Sequence, residues 1–202
     1  MKVFIISLLF NFALLPVMAQ QQILLFNKTN ADTITDKLQT KYVVYKQGAI
    51  KKINAKGDSV AYYKGSSKFD LLYSVEVSNP FRIILYYADY GAVIYLNQYL
   101  QPMQSFSFSD YGFSFIKAVA ASTDNNLWFY DPSDFKLKKI NERGTVLLSG
   151  PDLSKLVGVI LSPVKLEQQD QKIYLYDLAE GLFIFDLNGA FIEKKAWMPD
   201  LK

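Results

Sequence analysis

The segment from Asp124 to Gly144, DNNLWFYDPSDFKLKKINERG, decides the fold. It reads as a polar turn, an apolar strand over Leu127 to Tyr130, a second turn, a striped strand over Phe135 to Ile140 and a closing glycine. Copies of the plan lie on both sides. IILYYADYGAVIYL (residues 83–96) and IYLYDLAEGLFIFD (residues 173–186) superpose at an offset of 90, with Ile83 on Ile173, Leu85 on Leu175, Tyr86 on Tyr176, Gly91 on Gly181, Val93 on Phe183 and Tyr95 on Phe185. Leu127 stands 44 residues after Ile83 and 46 before Ile173.

A period of about 40–45 residues carrying four short strands is the sequence signature of a propeller blade. One four-stranded blade cannot bury both of its faces, and radial stacking of blades does so. The competing reading is an antiparallel sandwich with accidental periodicity, and six matches at one offset argue against it. The expectation is an all-β, β-propeller-like domain of about four four-stranded blades between Gln22 and Lys202, forming an open or incomplete ring.

In detail, Asn27 to Thr40 reads as a loop, and Tyr42–Tyr45, Ala49–Asn54, Val60–Tyr63 and Leu71–Val77 as the first four strands. Gly150-Pro151 reads as a loop and Val157–Leu161 as a strand. The segment Ile23–Phe26 is expected to pair with the last blade and protect an edge. An open arc also leaves an apolar blade face exposed, so a dimer through the open edge is one expected assembly.

Composition excludes much chemistry. The chain has no His, which removes the imidazole base, the Ser-His-Asp and Cys-His systems and histidine metal sites. It has no Cys, which removes disulfides, thiolate nucleophiles and thiolate metal sites. Lys and Arg number 22 against 19 Asp and Glu, too balanced and too scattered for a nucleic-acid surface. No cofactor is implied.

Met1 to Ala19 carries Lys2, an apolar run to Leu15, and small side chains at Val17 and Ala19, the pattern of a signal peptide cut before Gln20. The run is too short to span a bilayer. The expected mature domain is therefore residues 20–202, periplasmic or secreted, in a bacterial setting because disulfides are absent. Asn27-Lys28-Thr29 matches the glycosylation triplet and reads there as a surface loop.

The unit DNNLWFYD…KLKKINERG resembles the repeats of exported six-bladed NHL-like propeller proteins of Bacteroidetes-type bacteria. Asp124, Asn126, Leu127 and Trp128 match the turn that opens such a repeat. Asn141 with Gly144, Asn54 with Gly57, and Asp186 with Gly189 match its close; the second unit departs, with Tyr99 where Gly is expected. The resemblance implies the fold and leaves activity open, because such repeats serve enzymes, binders and scaffolds alike.

Several residues are candidates for a site. Asp89, Asp131 and Asp177 follow corresponding strands, and with Tyr90, Asp134 and Glu180 they would form a binding rim. Asp124-Asn125-Asn126 and Asp131-Pro132-Ser133-Asp134 offer oxygen ligands, but they lack the twelve-residue loop with a bidentate Glu and read as turn chemistry, so no metal is assigned. Tyr86, Tyr87, Tyr90, Tyr95 and Tyr99 read first as inter-blade packing. Lys136, Lys138, Lys139 and Arg143 read as a solvated strand edge. The leading expectation is an exported, non-enzymatic module that binds a protein or envelope component. The alternatives are a carbohydrate-active or other hydrolytic propeller using rim aspartates, and an inactive shortened paralogue.

Overall fold

The computed structural model describes residues 23–25, as backbone, and residues 31–197. The leader, the Asn27-Lys28-Thr29 triplet and residues 198–202 fall outside that range. Four antiparallel sheets stand around a common axis in an open ring. After β1 (Ile23–Leu25), the first blade is β2 (Ala31–Thr35), β3 (Lys41–Tyr45), β4 (Ile50–Ile53) and β5 (Ser59–Tyr63). The second is β6 (Ser74–Glu76), β7 (Ile83–Tyr87), β8 (Ala92–Leu96) and β9 (Pro102–Ser107). The third is β10 (Val119–Ala121), β11 (Leu127–Asp131), β12 (Lys136–Ile140) and β13 (Val146–Asp152), followed by one helical turn, α1 (Leu153–Val157). The fourth is β14 (Pro163–Gln169), β15 (Lys172–Asp177), β16 (Gly181–Asp186) and β17 (Phe191–Lys195).

The repeat has a visible chemical cause in the turn between third and fourth strands. Asn54, Asn97, Asn141 and Asp186, at intervals of 43, 44 and 45 residues, each turn a side-chain oxygen onto two main-chain N–H groups, two and four residues on. An Asx side chain that satisfies two donors sets the turn by itself. The residue three on takes positive φ: Gly57, Leu100, Gly144 and Gly189. The departure in the second blade therefore lies at Leu100 and not at Tyr99. Leu100 holds φ 59 because its side chain, 2% exposed, is anchored in the core between the first two blades.

Core packing lies in three seams between blades. Ile83, Leu85 and Tyr87 of β7 face the first blade, whereas Ile84 and Tyr86 face the third. In β11, Leu127 and Phe129 face the second blade and Trp128 and Tyr130 the fourth. The second strands of the middle blades, β7 and β11, are buried at every position; the end blades alternate, as in β3 and β15. The outer face of the first blade exposes Val60 and Tyr62, as the open arc requires.

Four local expectations are corrected. Ala31–Thr35 is a strand within the expected loop, because on an end blade only Ile34 has to be apolar. Residues 74–76 open the second blade and do not close the first. Gly150 and Pro151 lie inside β13, an outer strand that needs no donor from proline; Gly150 sits where a Cβ would meet the Gly189 and Leu137 carbonyls at 3.1 and 3.2 Å. Leu153–Val157 is helical and the following inner strand begins at Pro163. β1 also goes elsewhere than expected. It pairs with β6 as a fifth strand on the axial edge of the second blade, with Ile23 opposite Glu76 and Leu25 opposite Ser74.

The first strands of the last three blades converge. Tyr73 Oη donates to the Val164 carbonyl at 2.9 Å, across 91 residues, and the Ala121 N–H donates to Glu76 Oε2 at 2.7 Å. Among the described residues no helix is long and apolar enough to cross a membrane.

Candidate functional site

Each connection between blades folds back over the upper face of the blade it leaves: Leu72 N–H donates to Lys46 O, Phe108 N–H to Gly91 O, and Leu153 N–H to Phe135 O. Each then descends into the next inner strand through three residues of one pattern. These are Leu71-Leu72-Tyr73, Phe115-Ile116-Lys117 and Ile160-Leu161-Ser162, at intervals of 44 and 45. The middle residue is buried, and Leu72, Ile116 and Leu161 plug the three seams in turn. The first residue is exposed: Leu71 by 46%, Phe115 by 87% and Ile160 by 71%. The third is polar. The first and second of these polar residues bond across to another blade's entry, Tyr73 to Val164 O at the start of β14 and Lys117 Nζ to Ser162 Oγ at 3.1 Å.

The result is a collar of hydrogen bonds at the upper mouth of the axis, topped by three apolar side chains. One exposed apolar residue needs no explanation, but three at equivalent positions of successive connections are a regularity that core packing does not account for. Phe115 also holds φ 58, a strained conformation for a non-glycine residue, stored at a side chain that does not pack. The sequence reading missed this site. Its signal was present as paired apolar residues recurring at the turn interval.

The six rim candidates lie on the same upper face, in hairpins between second and third strands, but they do not form one cluster. Asp131 is buried and accepts from Ser133 N–H at 2.9 Å, Ser133 Oγ at 2.6 Å and Lys138 Nζ at 2.6 Å. Partial burial opposes its charge, yet the bonds from Lys138 and Ser133 prevail and hold the carboxyl below the usual range. Lys138 also reaches Asp134 at 2.7 Å. Asp177, likewise buried, accepts from Ser162, Ala179 and Glu180 N–H groups. Glu180 pairs with Lys194 at 2.9 Å. Tyr90 donates to Asp70 at 3.2 Å, and Asp89 is exposed in the short 3₁₀ turn beside it.

On the lower face, Asp124 is a turn residue that accepts from Asn126 N–H and pairs with Lys139 at 2.7 Å. Lys139 stands over the Trp128 ring at 5.0 Å, and Trp128 Nε1 donates to Gln168 of the fourth blade at 2.9 Å. Tyr86, Tyr87 and Tyr95 are buried between blades and Tyr99 is exposed. Among the described residues no three His, Cys, Asp or Glu side chains are placed to hold a metal ion.

One carboxylate that sequence reasoning passed over sits below the collar. Glu76 is 6% exposed and accepts from Ser78 Oγ at 2.5 Å as well as from Ala121 N–H. Burial raises its pKa to about 7; the Ser78 and Ala121 bonds and Lys165 work against the rise, and Glu167 adds to it. Lys165 pairs with Glu167 at 2.7 Å and lies over the Tyr176 ring at 4.7 Å, and the Tyr176 hydroxyl donates to Glu167.

No family model and no curated protein matches the chain. Solved structures do. A virginiamycin B lyase from Staphylococcus aureus matches with TM-score 0.60 and 14% identity over 83% of this chain and 56% of that one. A catalytically inactive form of that lyase, with a histidine replaced by alanine and with quinupristin, matches with TM-score 0.54 and 11% identity over 89% and 75%. A protein of unknown function from Bacteroides caccae matches with TM-score 0.54 and 9% identity over 84% and 62%. The chain is a distant relative in shape of propeller-fold proteins, and it spans a little over half the length of the first of these.

Proposed function

We propose that the chain is a binding module that takes an apolar group at the upper mouth of its axis, between Leu71, Phe115 and Ile160. The observation that carries this reading is the recurrence of an exposed apolar residue at equivalent positions, where the buried neighbour already supplies the packing. The rim carboxylates support it by default, since Asp131 and Asp177 are engaged by turn N–H groups and by Lys138. Export to the periplasm or medium, kinship with the NHL-like group and a partner in the envelope belong to the same proposal, as does pairing of two copies through an open blade edge. Nile red, a neutral apolar dye, is expected to bind the chain saturably. The triple variant Leu71→Ser/Phe115→Ser/Ile160→Ser should lose at least tenfold in affinity with an unchanged melting temperature. Equal dye binding by both proteins ends the reading.

A second reading, acid–base catalysis in the axial column, is favoured by the Glu167–Tyr176–Lys165 cluster and by the presence of lyases among the structures of similar shape. The 202 residues contain no histidine, so an elimination that depends on one is closed to them, and a carboxylate or phenolate would have to take the proton. On this reading Glu167→Gln abolishes any hydrolytic or eliminating activity found on a screen of glycoside and ester substrates. Retained turnover in that variant removes the cluster from consideration.

A further inference from the structure

The collar holds a cation, Lys117. Lys117, like Phe115, is exposed on one side of the buried Ile116, and Ser162, like Ile160, is exposed on one side of the buried Leu161. The Lys117–Ser162 hydrogen bond links the two connections that carry Phe115 and Ile160 and holds an ammonium at the collar. Among the described residues Lys117 has no carboxylate partner. The carboxylate closest to the collar in bonding is Asp177, and it is committed to the N–H groups of Ser162, Ala179 and Glu180. Asp70, next to Leu71, accepts from Tyr90.

An apolar rim beside a cation that forms no ion pair among the described residues matches a ligand with an apolar body and one anionic end. A flexible unbranched chain can lie across three separate tips without a shape-matched pocket, and one carboxylate answers one ammonium. We propose that the mouth binds a free amphipathic acid, with an acyl chain against Leu71, Phe115 and Ile160 and the carboxylate on Lys117, the Ser162 hydroxyl serving as a second donor. This rests on the mouth being a binding site, and the test separates the two claims.

Calorimetric titration compares decanoate with decyl maltoside, a neutral ligand of equal chain length, both as monomers. Decanoate should bind roughly threefold to fivefold tighter, the order of one exposed charge pair. Lys117→Gln should bring decanoate down to the neutral level, leave decyl maltoside unchanged and keep the wild-type melting temperature. Phe115→Ser should weaken both. Equal affinities in the wild type, or a preference that survives Lys117→Gln, overturn the proposal while leaving Nile red binding and the apolar mouth intact. Binding to phosphatidylglycerol vesicles without binding of monomeric decanoate overturns it in favour of a membrane surface.

Discussion

Glu76→Gln is expected to stabilise the protein by roughly 2–3 kcal/mol at pH 8 and to change little at pH 3.5. In the folded chain the carboxyl is buried at the junction of the inner strands and its pKa rises to about 7 from an ordinary 4.5. Between those values the unfolded chain has already released the proton that the folded chain still holds. Stability therefore falls as pH rises through the window, and the loss is complete above the folded value. Glutamine keeps the geometry, since its carbonyl oxygen accepts from the Ala121 N–H and its amide meets Ser78 Oγ, but it has no proton to lose. Urea unfolding from pH 3.5 to 8 should show a downward slope for the wild type that the variant lacks. Parallel curves would mean that Lys165, which opposes the shift, already compensates the charge.

The second large effect is expected at Trp128→Ala, about 3–5 kcal/mol by the cost of emptying a buried indole site. Trp128 is fully buried in the seam between the last two blades, is covered by Lys139 and reaches Gln168, which in turn donates to Thr123 at 2.9 Å. Its loss removes a core side chain and its hydrogen bond across the seam together. Trp197, half-buried on the outer face of the fourth blade and edge-on to Tyr176 at 5.0 Å, is the comparison. Its alanine variant loses one ring contact and no seam. Chemical denaturation of both decides the matter; equal costs would show that the seams do not carry the stability.

The contrast between these two tryptophans also shows what kind of information the chain holds. Residues 127–130 and Ile83–Tyr87 are apolar at every position because each faces two seams, and that run marks them as strands of the middle blades. Asn54, Asn141 and Asp186 with their glycines mark turns because one Asx side chain satisfies two N–H groups locally. The unit length, the four blades and the all-β class follow from such local chemistry, and they were readable in advance.

The mouth was only half readable. Leu71-Leu72, Phe115-Ile116 and Ile160-Leu161 recur at the blade interval, but two adjacent apolar residues look alike in a string of letters. Which one enters the seam depends on how the connection crosses the blade below it. Glu76 was hidden for a related reason: a short strand, Ser-Val-Glu, shows nothing unusual until Ala121 from the next blade approaches its carboxylate. The placement of β1 is a third such case. Ile23–Leu25 has the composition of a strand, yet nothing within it distinguishes the edge of the second blade from that of the fourth.

By itself, then, the sequence determined the period, the turns and the two-sided packing of the middle blades, all set by contacts within some ten residues or by the requirement that a blade bury both faces. Only the tertiary structure decided which apolar side chains remain in solvent at the mouth, that Lys117 bonds Ser162 and pairs with no carboxylate among the described residues, and that Glu76 lies buried at the junction of the inner strands. Those properties arise from segments about one or two blade lengths apart in the chain, and exposure and proton affinity depend on what such segments leave uncovered once the blades have stacked.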